Sequence, residues 1–198
     1  MTQVEQLAEF TSRASYQDLS EAARQQLKIR VLDSLTCGIG ALEGEPIQML
    51  RFYLYEVGGS GLCTLMATKE RAAPARAAFY NGSLIRYLDY NDSYLAAGET
   101  CHPSDNLSAV KVTVSRRGIS RGKRRVKDST GRTVTLHNGR ELVKEKQDYV
   151  GFHSRPMTWE SIIQKYNQLT HPYAEIPLRR AIIHAVAQLE HMQRQEFG

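Results

Sequence analysis

Apolar residues recur at intervals of three and four through both ends of the chain, and alternate with polar ones only in a short stretch between. The first pattern is that of helices with a buried face, the second that of paired strands. Val4, Leu7 and Phe10 share one face over residues 3–13. Ser20 precedes a longer run in which Leu27, Val31, Leu32, Leu35 and Ile39 recur at helical spacing, and its hydroxyl suits a helix N-terminus. Gly38 and Gly40, near the end of that run, predict close packing or fraying. Gly44 and the Glu45-Pro46 pair stop one helix and start another, which reaches about Val57 before the sequence GGSG. The run LCTLMAT, residues 62–68, reads as extended chain. Pro74 then opens a fourth helix with Ala78, Leu84, Ile85 and Leu88 as core positions. The Asn81-Gly82 pair inside it costs about 1 kcal/mol of helix propensity, which predicts a close helix contact or a kink.

Beyond Val110 the pattern changes. KVTVS, residues 111–115, reads as a strand. Residues 132–146 read as a β-hairpin, with Val134, Leu136, Leu142 and Val143 disposed about an Asn138-Gly139 turn. GFHSRPM, residues 151–157, is irregular, and His153 and Arg155 in it suit a structural turn. Thr158 caps a helix whose core positions are Ile162, Ile163, Tyr166 and Leu169, and Pro172 ends it. A last helix, from about Leu178 to Gln193, buries Ile182, Val186 and Leu189 and leaves His184 and His191 at the surface. The predicted class is α+β, mainly α. Residues 1–110 and 156–198 form packed helices, and 111–155 a small β element.

Composition narrows this picture. With 41% hydrophobic and 24% charged residues among 198, wholesale disorder is excluded. No apolar run approaches the ~20 residues of a membrane helix. The polar N-terminus, MTQVEQLAEF, has no secretory apolar core, so a cytoplasmic location is expected. Cys37, Cys63 and Cys101 are too widely spaced for a disulfide framework or a zinc site; Cys37 and Cys63 read as small buried hydrophobes. The net charge is +5, yet residues 116–127, RRGISRGKRRVK, hold seven Lys/Arg and no acid, which leaves the rest of the chain at −2. That run has no interleaved aromatic residue for base stacking, so a nucleic-acid-binding module is the weakest functional class and a solvated loop the expected one.

The chemistry concentrates in residues 86–106, RYLDYNDSYLAAGETCHPSDN, where the end of a helix runs into a polar, turn-rich loop. Asp89, Asp92 and Ser104 suit helix ends as caps on pattern alone. At LDYNDSYLAAGETCHPSDN the chain resembles the MmgE/PrpD family. Leu88, Asp89, Tyr90, Asn91, Asp92 and Ser93, followed by His102, Pro103 and Ser104, are similar to its signature. RAAFYNGSLIRY before it resembles the family's Asn-Gly helix. The segment from TVTLHNG to NQLT resembles its lid hairpin and returning helix, and RRAIIHAVAQLE its last helix.

The resemblance implies a lyase of the 2-methylcitrate dehydratase type, eliminating water from a small tri- or dicarboxylate. No metal or organic cofactor is implied, since hydrogen-bond donors can hold the carboxylates and the enolate-like charge. It implies Asp89, Ser93 and His102 as catalytic residues and Asn91, Asp92 and Ser104 as substrate-binding. Asp89 orients or exchanges protons, Ser93 bonds a carboxylate, and His102 acts as acid/base or anchor. The expected partners are a small carboxylic-acid substrate and further copies of the chain, not a membrane. In the family a long stretch, bearing another histidine, a lysine and a lid tyrosine, separates the His-Pro-Ser segment from the lid strand. Here Val110 runs straight into Lys111, and the chain is expected to be impaired in catalysis. The alternative is an inactive remnant with an internal deletion.

Overall fold

A computed structural model of the chain describes residues 2–57, 61–96, 99–107, 130–135, 141–146, 151 and 155–191. The Val110–Lys111 junction, the strand expected at 111–115, the basic run 116–127, the Asn138-Gly139 turn and His153 lie outside these residues. The fold is α+β and mainly α, with antiparallel strand pairs.

Helix α1 (Gln3–Arg13) starts at a capping box: the Thr2 hydroxyl accepts the Glu5 amide at 3.3 Å, and the Glu5 carboxylate accepts the Thr2 amide at 2.6 Å. On its apolar face Val4 is 76% and Phe10 56% exposed. Helix α2 (Glu21–Gly40) is the axis of the molecule. Ser20 caps it through the Ala23 amide, as its sequence predicts. From Lys28 to Ile39 it is buried on several sides, because α4 packs along one flank and α5 along another. Two apolar clusters result. Ala41, Ile47, Leu54, Leu65, Ala77, Tyr80, Leu84 and Ile85 form one. Ile29, Leu32, Ile162, Tyr166 and Val186 form the other.

This double flank corrects two core assignments. A one-faced helix places Leu27 inside, yet it is 40% exposed, and Lys28 is buried instead. Its ammonium reaches Glu190 at 2.7 Å. In α4 (Pro74–Tyr87) the buried face is Ala77, Tyr80, Asn81, Leu84 and Ile85, with Ala78 only half-buried. The glycines of α2 mark close packing: a Cβ on Gly38 would lie 2.6 Å from Met66 Sδ, and one on Gly40 3.4 Å from Leu169 Cβ.

Helix α3 (Glu45–Val57) covers the first cluster with Ile47 and Leu54. Strands β1 (Cys63–Thr64) and β2 (Arg71–Ala72) close a tight antiparallel turn, in which Ala67 adopts a positive φ of 59°. The Asn81 amide grips that turn, accepting the Met66 N–H at 2.8 Å and donating to the Thr64 carbonyl at 3.2 Å. This is the close contact that explains a poor helix former inside α4.

After α4 come the short strands β3 (Tyr94–Ala96) and β4 (Glu99–Cys101), then β5 (Thr130–Thr135) and β6 (Glu141–Lys146). The predicted hairpin is present as β5–β6, and its register pairs Val134 with Leu142. Thr135 pairs with Glu141 at the end of the described ladder. Thr158 caps α5 (Trp159–Thr170) through the Ser161 amide. Helix α6 (Ile176–Ala187) begins two residues before the expected Leu178, with Pro177 in its first turn, and passes into a 3-10 turn at Leu189–His191. Tyr166 and Cys37 are fully buried and Cys63 is buried, while His184 and His191 are exposed. Burial pushes the Cys37 thiol up to about 12.

Candidate functional site

The polar segment begins where α4 stops. Leu88 still has helical angles, but Asp89 has φ 48°, in the left-handed region that helix-ending residues adopt. Aspartate tolerates that conformation better than most side chains. It turns the chain off the helix axis and places the Asp89 carboxylate against the Arg86 guanidinium. The hydrogen bond and charge of Arg86 hold the Asp89 carboxyl below the usual carboxylate range. Arg86 also donates to Asn91 Oδ1 at 3.3 Å and lies 4.0 Å from Asp105.

The segment is not only a loop. Strands β3 and β4 pair antiparallel, with Tyr94 opposite Cys101. The residues flanking that pair are Ser93 and His102, so the hairpin closes them together. Ser93 Oγ lies 3.4 Å from His102 Nδ1, and the same nitrogen is 2.8 Å from the Asp92 carbonyl. A carbonyl only accepts, so the neutral ring is assigned with its proton on Nδ1 and a bare lone pair on Nε2. That is the arrangement of a base whose orientation is fixed from behind.

Asn91, Asp92 and Ser104 form the frame. Asn91 is 8% and Ser104 4% exposed, and the Asn91 amide donates to Ser104 Oγ at 2.6 Å. Asp92 Oδ1 accepts the Ser104 backbone N–H at 3.1 Å, while its Oδ2 pairs with Arg30 of α2. One carboxylate thus ties the two ends of the segment to the central helix.

Two charged residues beside the segment were not legible in the sequence. Arg30 is one. Lys165 of α5 is the other: it donates to Asp33 Oδ1 at 2.5 Å and to the Tyr90 carbonyl, and its ammonium lies 4.2 Å from the centre of the Tyr90 ring. Burial raises the Asp33 carboxyl, against the opposing pull of Lys165. Together these groups wall a cleft of about 710 Å³ between residues 89–93, α2 and α5. Asp89, Asn91, Asp92 and Ser93 line it; His102 is not among its lining side chains. Its lining carries three carboxylates (Asp33, Asp89, Asp92) and two cations (Arg30, Lys165). Among the described residues no group of three or more His, Cys, Asp or Glu is arranged to hold a metal ion, and no helix is long and apolar enough to cross a membrane.

The sequence model of the MmgE/PrpD N-terminal domain matches residues 5–133, well over half of the chain. The chain belongs to the MmgE/PrpD family. That match runs past the Val110–Lys111 junction. The 2-methylcitrate dehydratase of Salmonella typhimurium strain LT2 is 36% identical over 115 residues, 55% of this chain and 23% of that enzyme. A probable 2-methylcitrate dehydratase of Saccharomyces cerevisiae is 38% identical over 93 residues, 46% of this chain and 18% of the relative. An alkylcitrate dehydratase of a fungal species is 38% identical over 118 residues, 58% and 21% of the two chains. The matched stretch is thus less than a quarter of the length of each of these relatives.

Proposed function

We propose that this chain carries the N-terminal part of a 2-methylcitrate dehydratase-type site, built for cofactor-independent elimination on a small tri- or dicarboxylate, and that by itself it is catalytically impaired. The pairing of Ser93 with a His102 ring fixed through Nδ1 carries the reading. His102 Nε2, with its lone pair free for protons, serves as acid/base. Ser93 offers a hydroxyl to a carboxylate beside it. Asp89, held ionised by Arg86, orients the substrate or exchanges protons. Asn91, Asp92 and Ser104 contribute to binding by holding the segment in shape, since much of their hydrogen bonding is spent on one another.

The impairment follows from charge and from proton transfer. A tricarboxylate needs cations around it, and the described lining of the cleft offers more carboxylates than cations. Removing one member of a proton-transfer set costs about 10²–10⁴-fold, and on this reading Asp89 and His102 work without the further histidine, lysine and lid tyrosine that the family resemblance implies. A second reading, an inactive remnant with an internal deletion at Val110–Lys111, draws on the same charge balance. The division 1–110, 111–155 and 156–198, a role in propionate metabolism and a cytoplasmic location belong to the proposal. So does a homo-oligomer, for which the outward Met49, Phe52, Phe79 and Tyr87, 44–65% exposed, supply apolar surface.

A titration with 2-methylcitrate, followed by NMR of the labelled chain, tests the site. Saturable shifts at Ser93 and His102, weakened by Ser93→Ala, are expected. Shifts that never saturate, or that ignore Ser93→Ala, overturn the assignment.

A further inference from the structure

The site segment comes from the middle of the chain, yet one of the groups that fastens it comes from near the C-terminal end. The Lys165 ammonium sits between three features: the Asp33 carboxylate of α2, the Tyr90 carbonyl and the Tyr90 ring. Its side chain is 11% exposed and that of Asp33 5%, so the pair is shielded from water. A buried ion pair by itself adds little over an apolar pair of similar shape. The bond from Lys165 to a backbone carbonyl at the start of the segment is what such an apolar pair lacks. Two residues on, the Asp92 carbonyl receives His102 Nδ1. Where Tyr90 is held therefore bears on which ring nitrogen of His102 carries the proton.

We propose that Lys165 is a positioning residue: it holds the Tyr90 carbonyl so that the Asp92 carbonyl meets His102 Nδ1 and leaves Nε2 bare. Asp33 serves as the anchor that aims Lys165. Helix α5 thereby sets the protonation geometry of His102 through Tyr90. The inference rests on His102 acting in the site, but its test reads the ring and not turnover.

The experiment compares the full chain with Asp33→Asn/Lys165→Met, in which both charges are removed together so that neither is left buried alone. The readout is the two-bond ¹H–¹⁵N spectrum of the His102 imidazole above its titration, which distinguishes the two neutral tautomers. The native chain is expected to show Nδ1–H. The double variant, folded by circular dichroism, is expected to shift toward the Nε2–H form that predominates for free histidine in water. Retention of the native Nδ1–H pattern in the folded double variant overturns the proposal, as does an Nε2–H tautomer in the native chain. Should the first variant not fold, Asp33→Leu/Lys165→Met, apolar throughout, gives the same readout with the same two outcomes. A native chain that shows Nδ1–H but does not bind 2-methylcitrate leaves the positioning role supported and defeats the site reading instead.

Discussion

Asn81 joins α4 to the turn between β1 and β2, and its removal has a calculable cost. It is 3% exposed, accepts the Met66 amide at 2.8 Å and donates to the Thr64 carbonyl at 3.2 Å. Asn81→Ala strands the Met66 amide in a buried place and the Thr64 carbonyl in a partly buried one. Each unsatisfied group costs about 1–3 kcal/mol. Alanine returns roughly 0.5 kcal/mol as the better helix former. The net loss is then about 1.5–5.5 kcal/mol, a large part of the roughly 5–15 kcal/mol that a domain has. For a chain of this size each 1 kcal/mol moves Tm by about 2–4 °C, so a fall of about 3–22 °C is expected. Asn81→Asp separates the two bonds. When ionised it keeps an acceptor for Met66 and loses the donor to Thr64. Burial raises the folded pKa of such a carboxyl, so its stability is best below the unfolded value and declines as pH rises through the folded one. The assay is thermal unfolding by circular dichroism at neutral and acid pH, with hydrogen exchange at the Met66 amide. An Asn81→Ala chain melting within about 1 °C of the native one, with Met66 still protected, refutes the clamp.

Three further outcomes follow from the same geometry. Lys165→Met alone leaves the Asp33 carboxylate buried without its partner and is expected to destabilise by about 3–5 kcal/mol near neutral pH; because burial already raises Asp33 and the loss of Lys165 raises it further, the deficit in urea unfolding should shrink on acidification and grow again as pH rises through the folded pKa. Ala67→Gly, at a φ of 59°, relieves left-handed strain of about 1 kcal/mol and should leave Tm equal or slightly higher, whereas a clear fall contradicts that strain. Light scattering after size exclusion should show oligomers through the exposed α3–α4 side chains, reduced by Phe52→Ser/Phe79→Ser; a monodisperse monomer with a sharp melt goes against the oligomer.

The helices were legible because each buries a face, and a buried face writes its period into the sequence. The reading failed where burial was not one-sided. Helix α2 is enclosed by α4 and α5, so Lys28 goes inside on the strength of Glu190, a partner no local pattern reveals. Strands β3 and β4 are three residues each, too short to show alternation, so the hairpin that joins Ser93 to His102 leaves no strand signature in the sequence. Asp89, Ser93 and His102 stood out by motif. Arg30 and Lys165 did not: Lys165 lies 132 positions from Asp33 and 75 from Tyr90 in the chain, and only the fold brings them together.

The central claim is that residues 89–104 carry part of a dehydratase-type site that works poorly in this chain. Its most direct test is turnover of 2-methylcitrate by the full chain, followed as absorbance of the unsaturated product, beside His102→Ala and Asp89→Ala. The expected result is a rate barely above background, with whatever remains lost in both variants. Robust turnover by the native chain contradicts the impairment, and residual turnover unchanged in both variants contradicts the site.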